Sequence, residues 1–233
     1  MSKTLALLVL FVAALALATS ATPSVYLVQV NLDPTTLQEL HDTQQTVLIA
    51  QQAPPGCWSS VWGSFAQPFS HNYLVWNETG TSVYASTSAF GEGHPIHIGA
   101  FQRYVQPQHG YDFKDGAFRR QVYQDWLDED QLAINNLETD VYYFGLAQDI
   151  NVNSEEIAMP PLYSCEMMGM EYEVFTPSSS FYIFLGGRTT APGTMTRDLR
   201  RVARSALTLV RFDPGTTKIN LSWNRSVGRF VVE

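Results

Sequence analysis

Residues 73–88 read YLVWNETGTSVYASTS, and the reading of this stretch decides how the rest of the chain is parsed. Residues 73–76 and 82–88 are rich in aromatic and β-branched side chains, and Asn77, Glu78, Thr79, Gly80 and Thr81 between them have the composition of a turn. Strand formers on either side of turn formers predict a β-hairpin. Pro68, Asn77 and Gly80 break the aromatic-rich run over 58–90 into short strands. The same grammar recurs along the chain at spacings of about 8–12 residues. It predicts a mainly β fold, an antiparallel β-sandwich-like single domain with one or two short helices.

Upstream, residues 25–32 alternate. One face carries Tyr26, Val28, Val30 and Leu32; the other begins apolar at Val25 and Leu27 and turns polar at Gln29 and Asn31. That is a strand with one buried face. Asp33 followed by Pro34 predicts a helix cap and first turn, with Leu37 and Leu40 spaced to pack. Residues 46–51 form a second strand, stopped by Pro54, Pro55 and Gly56. This strand–helix–strand opening keeps an α+β sheet with one covering helix as the alternative.

Downstream, Gly91, Gly93 and Pro95 make a turn, residues 96–104 resume as strand, and 107–120 are turn-rich. Residues 118–137 fit either a helix or a loop with a short strand. Val122 with Trp126 and Tyr123 with Leu127 match helical spacing, but Asp125, Asp128, Glu129 and Asp130 would crowd one segment. A strand is expected at 141–148, a turn-rich region through Pro160 and Pro161, and a hairpin from 171–176 and 181–185 across 177–180. Residues 198–206 predict a basic amphipathic helix capped by Asp198. Strands at 207–212, 218–223 and 226–232 end the chain, with Gly228 marking a bulge in the last.

The chain opens with Lys3, an apolar run over 5–17 and the small residues Ala18, Thr19, Ser20 and Ala21. This is the pattern of a secretory signal peptide over 1–21, followed by a secreted β-rich domain over 22–233. The apolar run is shorter than the about 20 residues a spanning helix needs. An extracellular compartment makes Cys57 and Cys165 a disulfide pair. It also makes the sequons at Asn77, Asn220 and Asn224 candidate glycosylation sites. Asn220 and Asn224 share one face of a strand, with Leu221, Trp223 and Val227 on the other.

A net charge of −8 argues against a nucleic-acid partner, which requires a basic face. The charge is nevertheless uneven. Nine of the 14 basic residues follow Gly187, opposed there only by Asp198, Asp213 and Glu233. Either this basic end faces the acidic middle across one fold, or it forms a patch for an anionic glycan or lipid head group.

No G-x-S-x-G, Walker A or G-x-G-x-x-G motif is present, so no catalytic residue and no cofactor is assigned. His94 and His97 would diverge on a strand and lack companion ligands, and residues 125–130 lack the glycine and terminal Glu of a calcium loop. No metal is assigned either. Trp58, Trp62, Phe65, Phe69, Tyr73 and Trp76 crowd one stretch, and most belong in the core. Among them Trp58, Trp62, Tyr73 and Trp76, together with His109, are the candidate ligand-binding residues, with Gln67, Asn72, Gln106 and Gln108 as polar neighbours. The pattern points to a secreted non-enzymatic binding module for carbohydrate or a cell-surface ligand. The alternatives are a membrane-active, cytolysin-like β protein that contacts lipid without spanning it, supported by the basic segment 197–204, and a hydrolase built on dispersed acidic residues.

Overall fold

The computed structural model describes residues 24–88 and 91–233, so the signal peptide expected over 1–21 lies outside the described residues. In chain order the elements begin β1 (Val25–Asn31), α1 (Pro34–Asp42), β2 (Gln45–Gln51), β3 (Trp58–Phe65), β4 (His71–Ser86) and β5 (Ala100–Gln102). They continue β6 (His109–Lys114), β7 (Ala117–Tyr123), β8 (Leu132–Asn136), β9 (Tyr142–Val152), β10 (Glu155–Ile157) and β11 (Pro161–Met167). They close with β12 (Tyr172–Phe175), β13 (Phe181–Gly187), β14 (Met195–Thr196), a 3₁₀ turn at Leu199–Arg201, β15 (Thr208–Val210), β16 (Lys218–Asn224) and β17 (Arg229–Val232). The fold is mainly β, as the spacing of strand and turn signals predicts.

Among the described residues, thirteen strands join one sheet, whose main path runs β15-β13-β2-β3-β11-β9-β4-β1-β16-β17. Its two edges approach one another. The Thr208 hydroxyl donates to the Phe230 carbonyl at 3.0 Å and the Ala206 N–H to the Gly228 carbonyl at 3.3 Å, so the sheet curls almost into a barrel. The remaining four strands form a small sheet, β12-β8-β6-β7. Pairing is antiparallel except for β1 with β16 and β6 with β8. Tyr111, Phe113, Ile134 and Phe175 on the inner face of the small sheet join Phe144, Tyr163 and Cys165 of the large one in a shared core. Ring centroids lie 5.2 Å apart for Phe113–Phe144 and 6.0 Å for Tyr163–Phe175. The outer face of the large sheet is covered in two places, with Ile96, and Met195 of the short strand β14, packed on Tyr84, and Leu199 and Val202 packed on Leu48 and Phe184. This double cover explains why β2 is buried on both faces.

The opening follows its local chemistry. Val28 and Val30 are fully buried. The Asp33 carboxylate accepts from the Thr35 and Thr36 N–H groups at 2.9 and 3.0 Å and caps α1, with Pro34 in the first turn. The Thr36 hydroxyl, donating to the same carboxylate at 2.6 Å, is the main reason this group is held below its usual range.

Several expectations are corrected. Residues 73–88 are no hairpin, because 73–86 all belong to the single strand β4. Trp76 lies opposite Ile150 of β9 and Thr81 opposite Gln148, so residues 77–80 bulge out and the chain continues in the same direction. The Asn77 side-chain oxygen accepts from the N–H and hydroxyl of Thr79, both at 3.0 Å, while its carbonyl accepts from the Gln148 side chain at 2.9 Å. The stretch 107–120 is largely strand. Asp115 and Gly116, at φ 51° and 70°, turn β6 into β7, the left-handed pair that a two-residue hairpin requires. Residues 171–185 hold two strands but no hairpin, since β12 pairs with β8 in the small sheet and β13 with β2 and β15 in the large one. The helix expected over 198–206 is a single 3₁₀ turn, capped as foreseen by Asp198. Gly228, at φ 63°, sits in the turn before β17, ahead of the strand and not as a bulge within it. For 118–137 the loop-and-strand alternative holds.

Cys57 and Cys165 are joined, with Cα atoms 4.3 Å apart. No helix among the described residues is long and apolar enough to cross a membrane.

Tyr84 and Tyr163 are buried, and burial pushes both hydroxyls above the ordinary tyrosine range. Both protonated forms are therefore favoured by folding. Their contribution is complete below the unfolded value of about 10 and is lost as the pH rises beyond it. In an alkaline absorbance titration these two tyrosines should ionise only together with loss of β-sheet circular dichroism. A Tyr84→Phe variant should show one fewer late-titrating group. Smooth ionisation of every tyrosine with the fold intact would refute this.

Candidate functional site

The fold does not bring the five residues proposed from sequence together. Trp62 and Trp76 are buried, their rings meeting edge to face at 5.1 Å, and the Trp62 indole N–H donates to the Gln148 carbonyl at 3.2 Å. Their place is in packing. Trp58 is half-buried beneath the Arg197 guanidinium, 4.6 Å from its ring. Tyr73 is exposed on β4. The His109 Nδ1 lies 2.7 Å from the Pro107 carbonyl, and its ring meets the edge of Tyr123 at 5.7 Å. The sequons also differ in setting. Asn77 sits in the β4 bulge, and Asn224 ends β16, its side-chain oxygen accepting from the N–H and hydroxyl of Ser226 in the turn that follows at 3.1 and 2.7 Å. The side-chain oxygen of Asn220, within β16, is buried.

A different constellation is assembled on the outer face of the small sheet. Because Tyr111 and Phe113 point into the core, strand alternation sends Gly110 and Asp112 outward. The register then aligns Arg120 of β7, Asp112 of β6, Asn135 of β8 and Tyr172 of β12 in one transverse row. The Asn135 amide donates to the Asp112 carboxylate at 2.6 Å. Gln124 folds back over Gly110, where an added Cβ would stand 3.2 Å from its amide nitrogen and 3.6 Å from that of Asn135. Gly110 thus makes room for the polar side chains that lie over the sheet. The Trp126 indole N–H donates to the Gln124 side-chain oxygen at 2.9 Å, and the Trp126 ring stands 5.9 Å from that of Tyr172. These two rings are 53% and 63% exposed, so neither is spent on the core.

The arrangement places two exposed aromatic faces beside two planar amides, a carboxylate and a guanidinium. Aromatic faces take up the C–H faces of a sugar ring, and the polar groups provide both acceptors and donors for its hydroxyls. Sequence reasoning missed this face because its members come from four strands and one turn. The alternation in β6 and the Asp115-Gly116 turn are the local signals that would have brought β6 and β7 together. The acidic run 125–130, which lacks the features of a calcium loop, belongs to the turn that carries Trp126. Among the described residues no group of three or more His, Cys, Asp or Glu side chains could hold a metal ion.

No family model matches the chain, and no similar protein was found among curated sequences or solved structures.

Proposed function

We propose that this protein is a secreted binding module that recognises a carbohydrate through the outer face of its small sheet. The observation that carries the reading is the exposed Trp126–Tyr172 pair, set against the hydrogen-bonded Asn135 and Asp112 in one strand-crossing row. Secretion is supported by the leader pattern and by the disulfide, a bond suited to oxidising compartments. The sequons at Asn77, in the β4 bulge, and at Asn224, at the end of β16, suit attached glycans better than Asn220 does, because the Asn220 side-chain oxygen is buried.

The test is a glycan array probed with the mature protein, followed by calorimetry on any hit. Trp126→Ala and Tyr172→Ala should each weaken binding by about 2 kcal/mol, roughly 30-fold, as aromatic anchors do. Because both side chains are largely exposed, the melting temperature should move little. An array without hits, or hits that survive both substitutions, would dismiss the proposed face.

A further inference from the structure

The basic C-terminal stretch finds few acidic partners. Of its nine cations, only Arg200 and Arg225 form ion pairs among the described residues, with Asp198 at 3.0 Å and Glu39 at 2.9 Å. Most of these cations therefore lack a close carboxylate partner among the described residues, and the question becomes what they face. One of them, Arg204, lines a cleft of about 450 Å³ between α1 and the seam where β15 and β17 meet. Leu40 of α1, Leu185 of β13 and Trp223 of β16 supply its apolar walls, and Gln45 and Ser205 its polar ones. The volume falls in the range of small-molecule sites.

The cleft is built around Arg204. Its backbone N–H donates to the Leu185 carbonyl at 2.7 Å, and the Leu185 N–H donates to the Ser205 hydroxyl at 2.9 Å. The loop is thereby fastened to β13 at Arg204 and at the residue after it. The guanidinium lies over Gly187, where an added Cβ would stand 3.6 Å from it. It makes no ion pair and no side-chain hydrogen bond among the described residues. Glu39, the carboxylate that lines the cleft, is already engaged by Arg225. Trp223 is half-buried and held edge to face against Phe230 at 5.1 Å.

We infer that this cleft binds an acidic saccharide, a sugar bearing a carboxylate or sulfate, with the oxyanion on Arg204 and the ring against Trp223. A guanidinium presents a planar fork of donors that matches two oxygens of such a group. The indole face provides the apolar contact a pyranose offers on its other side. The site shares no residue with the outer face of the small sheet, so either can fail alone.

Calorimetry on the secreted chain would compare a sulfated or uronate-containing disaccharide with its uncharged parent. The charged sugar should bind, more weakly at high salt, and the parent should not. Arg204→Gln should lower affinity about tenfold or more, the effect of removing a hydrogen bond to a charged group. Trp223→Phe should remove the change in tryptophan emission that accompanies binding. Arg119→Gln, an equal change of charge on the small sheet, should alter nothing. Melting temperatures establish that each variant is folded. The inference is overturned if charged and uncharged sugars bind alike, if no charged sugar binds, or if Arg204→Gln binds as the parent chain does. Binding confined to vesicles containing phosphatidylserine would assign the cleft to a lipid head group and overturn it equally.

Discussion

Gly145→Ala is expected to be the most damaging single-methyl change in the molecule outside its turns. Gly145 lies on β9 between Tyr84 of β4 and Ser164 of β11, so both of its edges are paired. A Cβ there would stand 2.0 Å from the Tyr163 carbonyl oxygen and 2.8 Å from the Tyr84 hydroxyl. The first contact is with backbone and cannot be relieved by a rotamer change. The second is with the group that donates to that same carbonyl at 3.1 Å. Moving either partner separates them and leaves a buried hydroxyl without its acceptor. Overpacking and the orphaned polar group together should cost about 3–5 kcal/mol, lowering the melting temperature by roughly 10 °C in a chain of this size. Gly99→Ala is the control, since its Cβ would meet the Ala85 carbonyl at an ordinary 3.6 Å. Denaturant unfolding of the two variants would compare them, and equal midpoints would refute the account.

The second large effect concerns Cys57 and Cys165, 108 residues apart in sequence. In the chain-entropy model a cross-link closing a loop of that size stabilises by up to about 4.7 kcal/mol. Its place in the sheet sharpens the expectation. Ser164 pairs with Trp58, and one step further along the same register Cys165 comes opposite Cys57. The β3–β11 ladder has only two paired positions, whereas β11 meets β9 over six. The covalent bond therefore reinforces the weakest stretch of the main sheet path between its central strands. The double variant Cys57→Ala with Cys165→Ala should lose several kcal/mol in denaturant unfolding. Hydrogen exchange should then show the backbone amides near residues 58–59 and 163–164 opening first. If protection fell evenly over the whole sheet, the bond would be acting only on the unfolded chain.

Particular elements show where sequence reasoning stops. The Asp33-Pro34 cap was legible because every group it uses lies within three residues. The turn chemistry of 77–80 was legible too, but its consequence was not. An asparagine that binds the N–H two residues on does so equally in a reversing turn and in a bulge. The chain runs on because β9 offers partners on both sides of residues 77–80. Residues 171–185 repeat the lesson: two real strands lie next to each other in sequence, yet each finds its neighbour in a different sheet. The aromatics of 58–76 could be counted but not sorted, since alternation does not say which face of a sheet another layer will cover. Trp62 and Trp76 went to the core, while Trp126, set in an acidic turn, was left exposed against Tyr172.

By itself the sequence determined the mainly β character, the first helix and its cap, the pairing of two cysteines and the excess of positive charge near the C-terminus. All of these follow from composition or from contacts a few residues long. Only the tertiary structure decided that strand edges curl to meet beside α1, that Arg120, Asp112, Asn135 and Tyr172 share a row, and that Arg204 lines a cleft without an ion pair among the described residues. Those outcomes depend on register and layering between segments up to about two hundred residues apart, where a shift of one residue would send every side chain of a strand to the opposite face.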